Sequence, residues 1–241
     1  MEQSLWEAHY TLHKNDAYDE TRVPYKDLFD RYLTPGGSCL EVGFLPGDIL
    51  TYLSRRFRFI ASGIDLTPFR ESEVRARMMR NGATVERLVS GDFLSLIPDE
   101  VYDIVCSFGF IEHFSEPEDI IIKHIEFLRP GGTLVISCPN FAGAQRIMHY
   151  WLDRKNLENH NIKAMNLGLW KRVLEGNGMR ILYQGYVGTF GFWTAGSPTD
   201  RLLKRALAAS LSKIARVVDS LGDHPNALFS PSMISFSRRE L

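Results

Sequence analysis

Residues 39–50 read CLEVGFLPGDIL: an apolar run carrying one acid, Glu41, meets a turn built on Gly43 and Gly47, and Asp48 stands where the next helix should begin. A dinucleotide fingerprint asks for glycine at relative positions one, three and six after the first strand; here those positions hold Gly43, Leu45 and Asp48. The fingerprint fails twice, and a carboxylate at the helix N-terminus would repel the pyrophosphate normally received there. The turn still lets backbone pass close to a ligand, and Glu41 offers a negative charge suited to an ammonium or a sulfonium. Asp65 closes the next apolar run, where an acidic side chain accepts hydrogen bonds from both hydroxyls of a ribose. Together these residues suit a cationic nucleoside.

Outward from this stretch the chain alternates. Short apolar runs bounded by turn signals fall at 38–44, 59–65, 85–90, 102–108 and 133–138, with helix-like spans between them. Runs apolar on both faces suit a parallel sheet covered by helices on each side. Right-handed crossovers wind such a sheet into an α/β three-layer sandwich with a mostly parallel, Rossmann-like centre. Two phrases, Leu33-Thr-Pro-Gly-Gly37 and Leu128-Arg-Pro-Gly-Gly132, are each expected to close a helix and launch a strand. Beyond residue 140 the rhythm loosens. A helix is predicted over 166–177, a strand over 180–188, and Met233–Ser237 should return as an antiparallel edge strand near the C-terminus. Between 200 and 221, Leu203, Leu207, Leu211, Ile214, Val218 and Leu221 recur at spacings of three and four, an amphipathic helix that packs on the sheet or on a second subunit.

Composition narrows the function classes. With 241 residues, 44% of them apolar and 24% charged, the chain can bury a sizeable α/β core, and a net charge of −1 gives no electrostatic footprint for nucleic acid. The apolar runs fall short of the roughly 18 residues that span a bilayer, so no stable membrane association is expected. The opening MEQSLWEAHYTLHKND lacks the charged-then-apolar order of a signal peptide, which points to a cytoplasmic protein. Cys39, Cys106 and Cys138 each lie in an apolar run and read as small buried hydrophobes.

At this point the sequence resembles the class I S-adenosylmethionine-dependent methyltransferases. The resemblance rests on LEVGFLPGDIL, on GID at 63–65, on SGDF at 90–93, and on YDIVCSFGFIEHFSEPEDIIIKHIEFLRPGGTLVISCPN. It implies S-adenosyl-L-methionine as cofactor, with Glu41, Gly43 and Gly47 at the methionine end, Asp65 at the ribose, and Asp92 with Phe93 at the adenine. Phe44, Leu66 and Phe108 complete the expected cofactor set. The family's usual glycine at position 45 is Leu45 here, which reshapes the turn and keeps open a non-catalytic cofactor-binding or scaffolding homologue. The chain is divided as one methyltransferase domain over 1–241: a cap segment 1–32, a cofactor-binding core 33–140, an acceptor-site region 141–199 and an added helix 200–224.

Methyl transfer is an in-line displacement at an activated carbon, so alignment comes first. An acceptor hydroxyl also needs its proton removed as it attacks, a task that suits histidine, whereas a small amine need only be neutral. The plainer readings are a helix-terminus carboxylate for Glu112, a turn residue for Asp92 and a structural imidazole for His113. His113, however, follows the carboxyl end of the fourth strand, where open α/β sheets place their ligands. The expectation is therefore His113 as general base with Glu112 orienting it or the acceptor. The acceptor is a small molecule such as a sugar, quinone or secondary metabolite, methylated at oxygen, with N-methylation of a small amine as the alternative. Its pocket is expected from the N-terminal segment, the loop after Glu112 and the aromatic-rich 141–195 region, with Tyr150, His160 and Phe190 as substrate residues. The helix at 200–224 makes a homodimer one expected assembly. His124 and His149 read as ordinary helix positions.

Overall fold

The computed structural model of the protein describes residues 18–192 and 224–241, with scattered positions between 210 and 222. Seven strands, β1 (Ser38–Val42), β2 (Ile60–Asp65), β3 (Thr84–Ser90), β4 (Tyr102–Phe108), β5 (Leu128–Pro139), β6 (Met179–Val187) and β7 (Ser232–Arg239), form one sheet in the order β3-β2-β1-β4-β5-β7-β6. The pairs from β3 through β5 are parallel. The antiparallel strand expected near the C-terminus is β7, which pairs antiparallel with both neighbours and lies one strand in, leaving β6 outermost.

Strand alternation sends successive residues to opposite sides and so builds two cores. Leu40 and Val42 of β1 join one core with Ile120, Ile121 and Ile125 of α4 (Pro117–Glu126) and Leu169, Trp170 and Leu174 of α7 (Leu167–Gly176). Cys39 joins the other, with Phe29 of α1 (Lys26–Tyr32), Leu50 and Leu53 of α2 (Asp48–Phe57) and Met78 of α3 (Glu71–Arg80). The helices α5 (Gly143–Leu152) and α6 (Arg154–Glu158) follow β5. All three cysteines are buried and free. No helix among the described residues is long and apolar enough to cross a membrane. Residues 1–17 of the cap segment and most of the helix expected at 200–224 lie outside the described residues.

The two Pro-Gly-Gly phrases end differently, yet they meet. The first does close α1, whose last turn is tied by Leu33 N–H to the Phe29 carbonyl. The second lies inside β5: Tyr102 pairs with Leu128, Ile104 pairs with Thr133, and the residues between bulge out. A Cβ on Gly37 would collide with the Asp103 carboxylate, and one on Gly132 would come within 2.9 Å of the Asp103 carbonyl. That carboxylate accepts from Ser38 N–H at 2.8 Å and from Arg129 Nε at 2.6 Å, pinning both phrases to the start of β4.

From β1 the chain runs outward through β2 and β3, then returns to β4 on the other side of β1. The order reverses at that point, so a crevice opens beyond the carboxyl ends of β1 and β4.

Candidate active site

The turn after β1 is built from backbone needs that the sequence meets. Gly43 has φ 72° and donates its N–H to the Ile64 carbonyl at 2.8 Å; a Cβ there would sit 2.9 Å from the Phe110 ring. Phe44 turns into the core against Phe69, with ring centroids 5.4 Å apart, and lies over Gly63, where a Cβ would come within 2.6 Å of its ring. The glycine of GID thus makes room for Phe44. Gly47 caps α2 with φ 97°. Asp48 does not face the crevice: it pairs with Arg77, which also donates to the Pro46 carbonyl at 2.7 Å and so ties the turn to α3. Glu41 is buried, and its Oε2 lacks a hydrogen-bond partner. Burial, with Cys39 and Asp65 nearby, holds that carboxyl well above the usual carboxylate range.

Beyond this turn lies a cavity of about 280 Å³. Of the residues expected at the cofactor, Gly43, Asp65, Leu66, Asp92, Phe93 and Phe108 line it. Glu41, Phe44 and Gly47 stand behind the turn. The Asp65 carboxylate accepts Thr67 N–H at 2.8 Å and Leu45 N–H at 3.1 Å, bonds that fix its direction. Burial raises its pKa, and those two N–H groups oppose the rise. Asp92 is exposed and accepts Leu94 N–H at 3.0 Å. Leu66 is 55% exposed at the rim, an apolar surface with no cover. Phe110 and Phe114, which sequence reasoning missed, add aromatic walls next to Phe93 and Phe108. Their signal was present in the FGFIEHF run, but the spacing alone does not say which rings turn inward.

Gly109, with φ 68°, ends β4 and leads into a 3-10 turn at Ile111–His113. His113 lines the cavity. Behind it Glu112 is 1% exposed, with Oε1 3.9 Å from His113 Nε2 and Oε2 lacking a hydrogen-bond partner. Burial pushes the Glu112 carboxyl up to about 8 and draws the His113 imidazole down to about 4, where the neighbouring His160 adds to the effect. The His160 ring lies 4.8 Å from the His113 ring. It is brought there by Asn161, whose N–H donates to the Glu112 carbonyl at 2.7 Å and whose Nδ2 donates to the Phe114 carbonyl at 2.7 Å.

Tyr25 was not singled out from the sequence either. It adopts a left-handed φ of 61° at the start of α1, and its ring stacks on Phe108 at 6.3 Å. Burial raises the pKa of its hydroxyl, and the nearby Ser232 and Ser137 side chains oppose the rise. None of the expected substrate residues lines the cavity, and His160 meets it only through His113. Tyr150 is 47% exposed beside Trp151 and Arg154, and Phe190 packs against Phe229.

Comparison with known proteins agrees with this geometry. The sequence profile of a methyltransferase-domain family matches residues 18–184. Over 180 residues the chain is 27% identical to the ubiquinone biosynthesis O-methyltransferase of Xanthomonas campestris pv. campestris, covering 70% of this chain and 74% of that protein. Over 163 residues it is 27% identical to the phosphoethanolamine N-methyltransferase of Triticum aestivum, covering 65% of this chain but only 32% of the wheat protein, about a third of its length. The fold is shared with a SAM-dependent methyltransferase from Archaeoglobus fulgidus, at TM-score 0.56 and 16% identity, covering 99% of this chain and 95% of that one. It is also shared with the magnesium protoporphyrin IX methyltransferase of Synechocystis, solved with bound SAH, at TM-score 0.54 and 14% identity, covering 86% and 75%. The chain belongs to the methyltransferase-domain family and is a class I enzyme that uses S-adenosylmethionine.

Proposed function

We propose that this enzyme methylates an oxygen atom of a small molecule, with the Glu112–His113 pair activating the acceptor. The observation that carries the reading is His113 on the cavity wall next to Phe108 and Gly109, with the buried Glu112 carboxyl 3.9 Å behind it. A hydroxyl must lose its proton as it attacks, and this pair is the acid–base machinery at the mouth of the crevice.

The residues present fit the cofactor, which supplies an electrophilic methyl carbon on a sulfonium. Asp65, its carboxylate aimed by Leu45 and Thr67, retains lone pairs for the ribose hydroxyls. Leu66 and Phe93 offer apolar faces for the adenine, with Asp92 at its edge. Phe108, Phe110 and Phe114 present ring faces that favour a cation and exclude water. Glu41, Phe44 and Gly47 hold the shape of the turn from behind. Alignment of this kind is worth about 7 to 11 kcal/mol in favourable cases. A net charge of −1 is in keeping with a small-molecule acceptor and no nucleic-acid partner.

The reading is tested by incubating the chain with S-adenosylmethionine and a panel of hydroxyl and amine acceptors while following S-adenosylhomocysteine. Oxygen acceptors should turn over, and turnover of amines alone would refute O-methylation.

A further inference from the structure

We propose that Glu112, His113 and His160 form a binding site for a divalent transition-metal cation. Each residue offers one ligand atom, and the three atoms lie within 4.8 Å of one another. Ligands about 2.0 to 2.2 Å from a common tetrahedral ion lie about 3.3 to 3.6 Å apart, so side-chain movements of about an ångström close the set around an ion. Glu112 is 1% exposed, its Oε2 has no hydrogen-bond partner, and among the described residues no lysine or arginine pairs with it. Without a cation this carboxyl holds its proton near neutral pH, and an ion that displaces that proton would be held by both charge and ligation.

The surrounding shell is that of a ligand set. His160 Nδ1 lies 2.6 Å from the Asn156 carbonyl and so donates to it, which leaves the Nε2 lone pair for an ion. Asn161 binds the loop that carries His160 to the turn that carries Glu112 and His113, so the ligands are supplied by two segments fastened together. Access comes from the cavity. His113 lines it, and Gly109, which lines it too, puts no side chain in front of Glu112: a Cβ there would lie 3.4 Å from Oε1. Two imidazoles and one carboxylate select borderline ions such as Zn²⁺, Co²⁺, Fe²⁺ or Ni²⁺ over Mg²⁺ and Ca²⁺, which favour oxygen.

The site goes beyond the proposed function without depending on it. An ion held there would occupy the His113 lone pair that the proposed function gives to the acceptor's proton, so the cation-loaded and proton-accepting forms are alternative states of one site.

The test strips the full chain with a chelator, dialyses it, and titrates it with Co²⁺, read by visible absorption, and with Zn²⁺, read by calorimetry. Saturable binding is expected, with Glu112→Gln and His160→Asn each weakening it by at least about 10- to 100-fold. The buried neighbour His149, changed to Gln, should leave it unaltered. Zn²⁺ should also raise the melting temperature of the wild-type chain, a readout that needs no variant. Absence of both the Co²⁺ spectrum and the Zn²⁺ shift in the wild type would overturn the site. So would unchanged affinity in folded Glu112→Gln and His160→Asn. Binding of S-adenosylmethionine is measured on the same stripped chain: cofactor binding without cation binding removes this inference alone, and cation binding without cofactor binding removes the proposed function alone.

Discussion

The carboxylate of Asp65 accepts the backbone N–H of Leu45 at 3.1 Å, joining the acid at the end of β2 to the position where the glycine turn departs from its family. The departure therefore does not detach the turn from the nucleoside side of the crevice. Asp65→Ala should remove charge-assisted hydrogen bonds of about 1.5 to 3 kcal/mol and weaken S-adenosylmethionine binding by about 10- to 150-fold. Calorimetry on the folded variant checks this, and unchanged affinity would remove Asp65 from the cofactor site.

Gly63 and Phe44 set a packing limit on the same turn. A methyl group at position 63 would enter the Phe44 ring, which is enclosed by Phe69 and has nowhere to retreat. Gly63→Ala should cost about 1 to 3 kcal/mol of stability by overpacking. Chemical denaturation measures the loss, and Phe44→Leu in the same chain should recover part of it by opening space.

For the activating pair, His113→Ala should lower turnover by about 100- to 10,000-fold with little change in S-adenosylmethionine affinity, because the lost group acts on the acceptor. His113→Gln should not restore the rate, since an amide cannot take a proton. Single-turnover rates beside cofactor titrations separate the two effects. Near-normal rates in both variants would leave His113 a structural role.

His124 contributes to the loss of stability in acid. Fully buried among Phe93, Phe110 and Phe127, it donates Nδ1–H to the Ile120 carbonyl at 2.7 Å, and burial lowers its pKa from 6.5 to about 4. Above pH 6.5 both folded and unfolded chains hold a neutral imidazole, and its contribution is fully present. As pH falls from 6.5 towards 4 the unfolded chain takes up the proton first, so stability drops, by roughly 3 kcal/mol at most. His124→Asn keeps a donor for Ile120 and cannot titrate. Urea denaturation from pH 7 to 4 should show a shallower decline for this variant than for the wild type; parallel curves would clear His124 of the effect.

Much of the fold was legible because strands buried on both faces leave continuous apolar runs. The second Pro-Gly-Gly phrase does follow a helix and open a strand, but its bulge inside β5 is set by distant groups, the Tyr102–Leu128 pairing and the Arg129–Asp103 bond, which no local pattern contains. In the site, Asp65, Phe108 and His113 were readable as residues at or just past the carboxyl ends of strands. The approach of His160 to His113 was not, because it depends on a hydrogen bond from Asn161 to the Phe114 carbonyl, 47 residues away. Nor was the burial of Glu41 against α2, which follows from how that helix docks after the turn.

The most direct test follows the methyl group itself. The chain is incubated with S-adenosylmethionine labelled in the methyl carbon and with the low-molecular-weight fraction of a cell extract, and the products are separated by mass. Label should appear on a small molecule at oxygen, with an equal amount of S-adenosylhomocysteine, and His113→Ala should abolish nearly all of it. Label found only on protein or nucleic acid, or cofactor bound tightly with none consumed, would contradict a small-molecule methyltransferase.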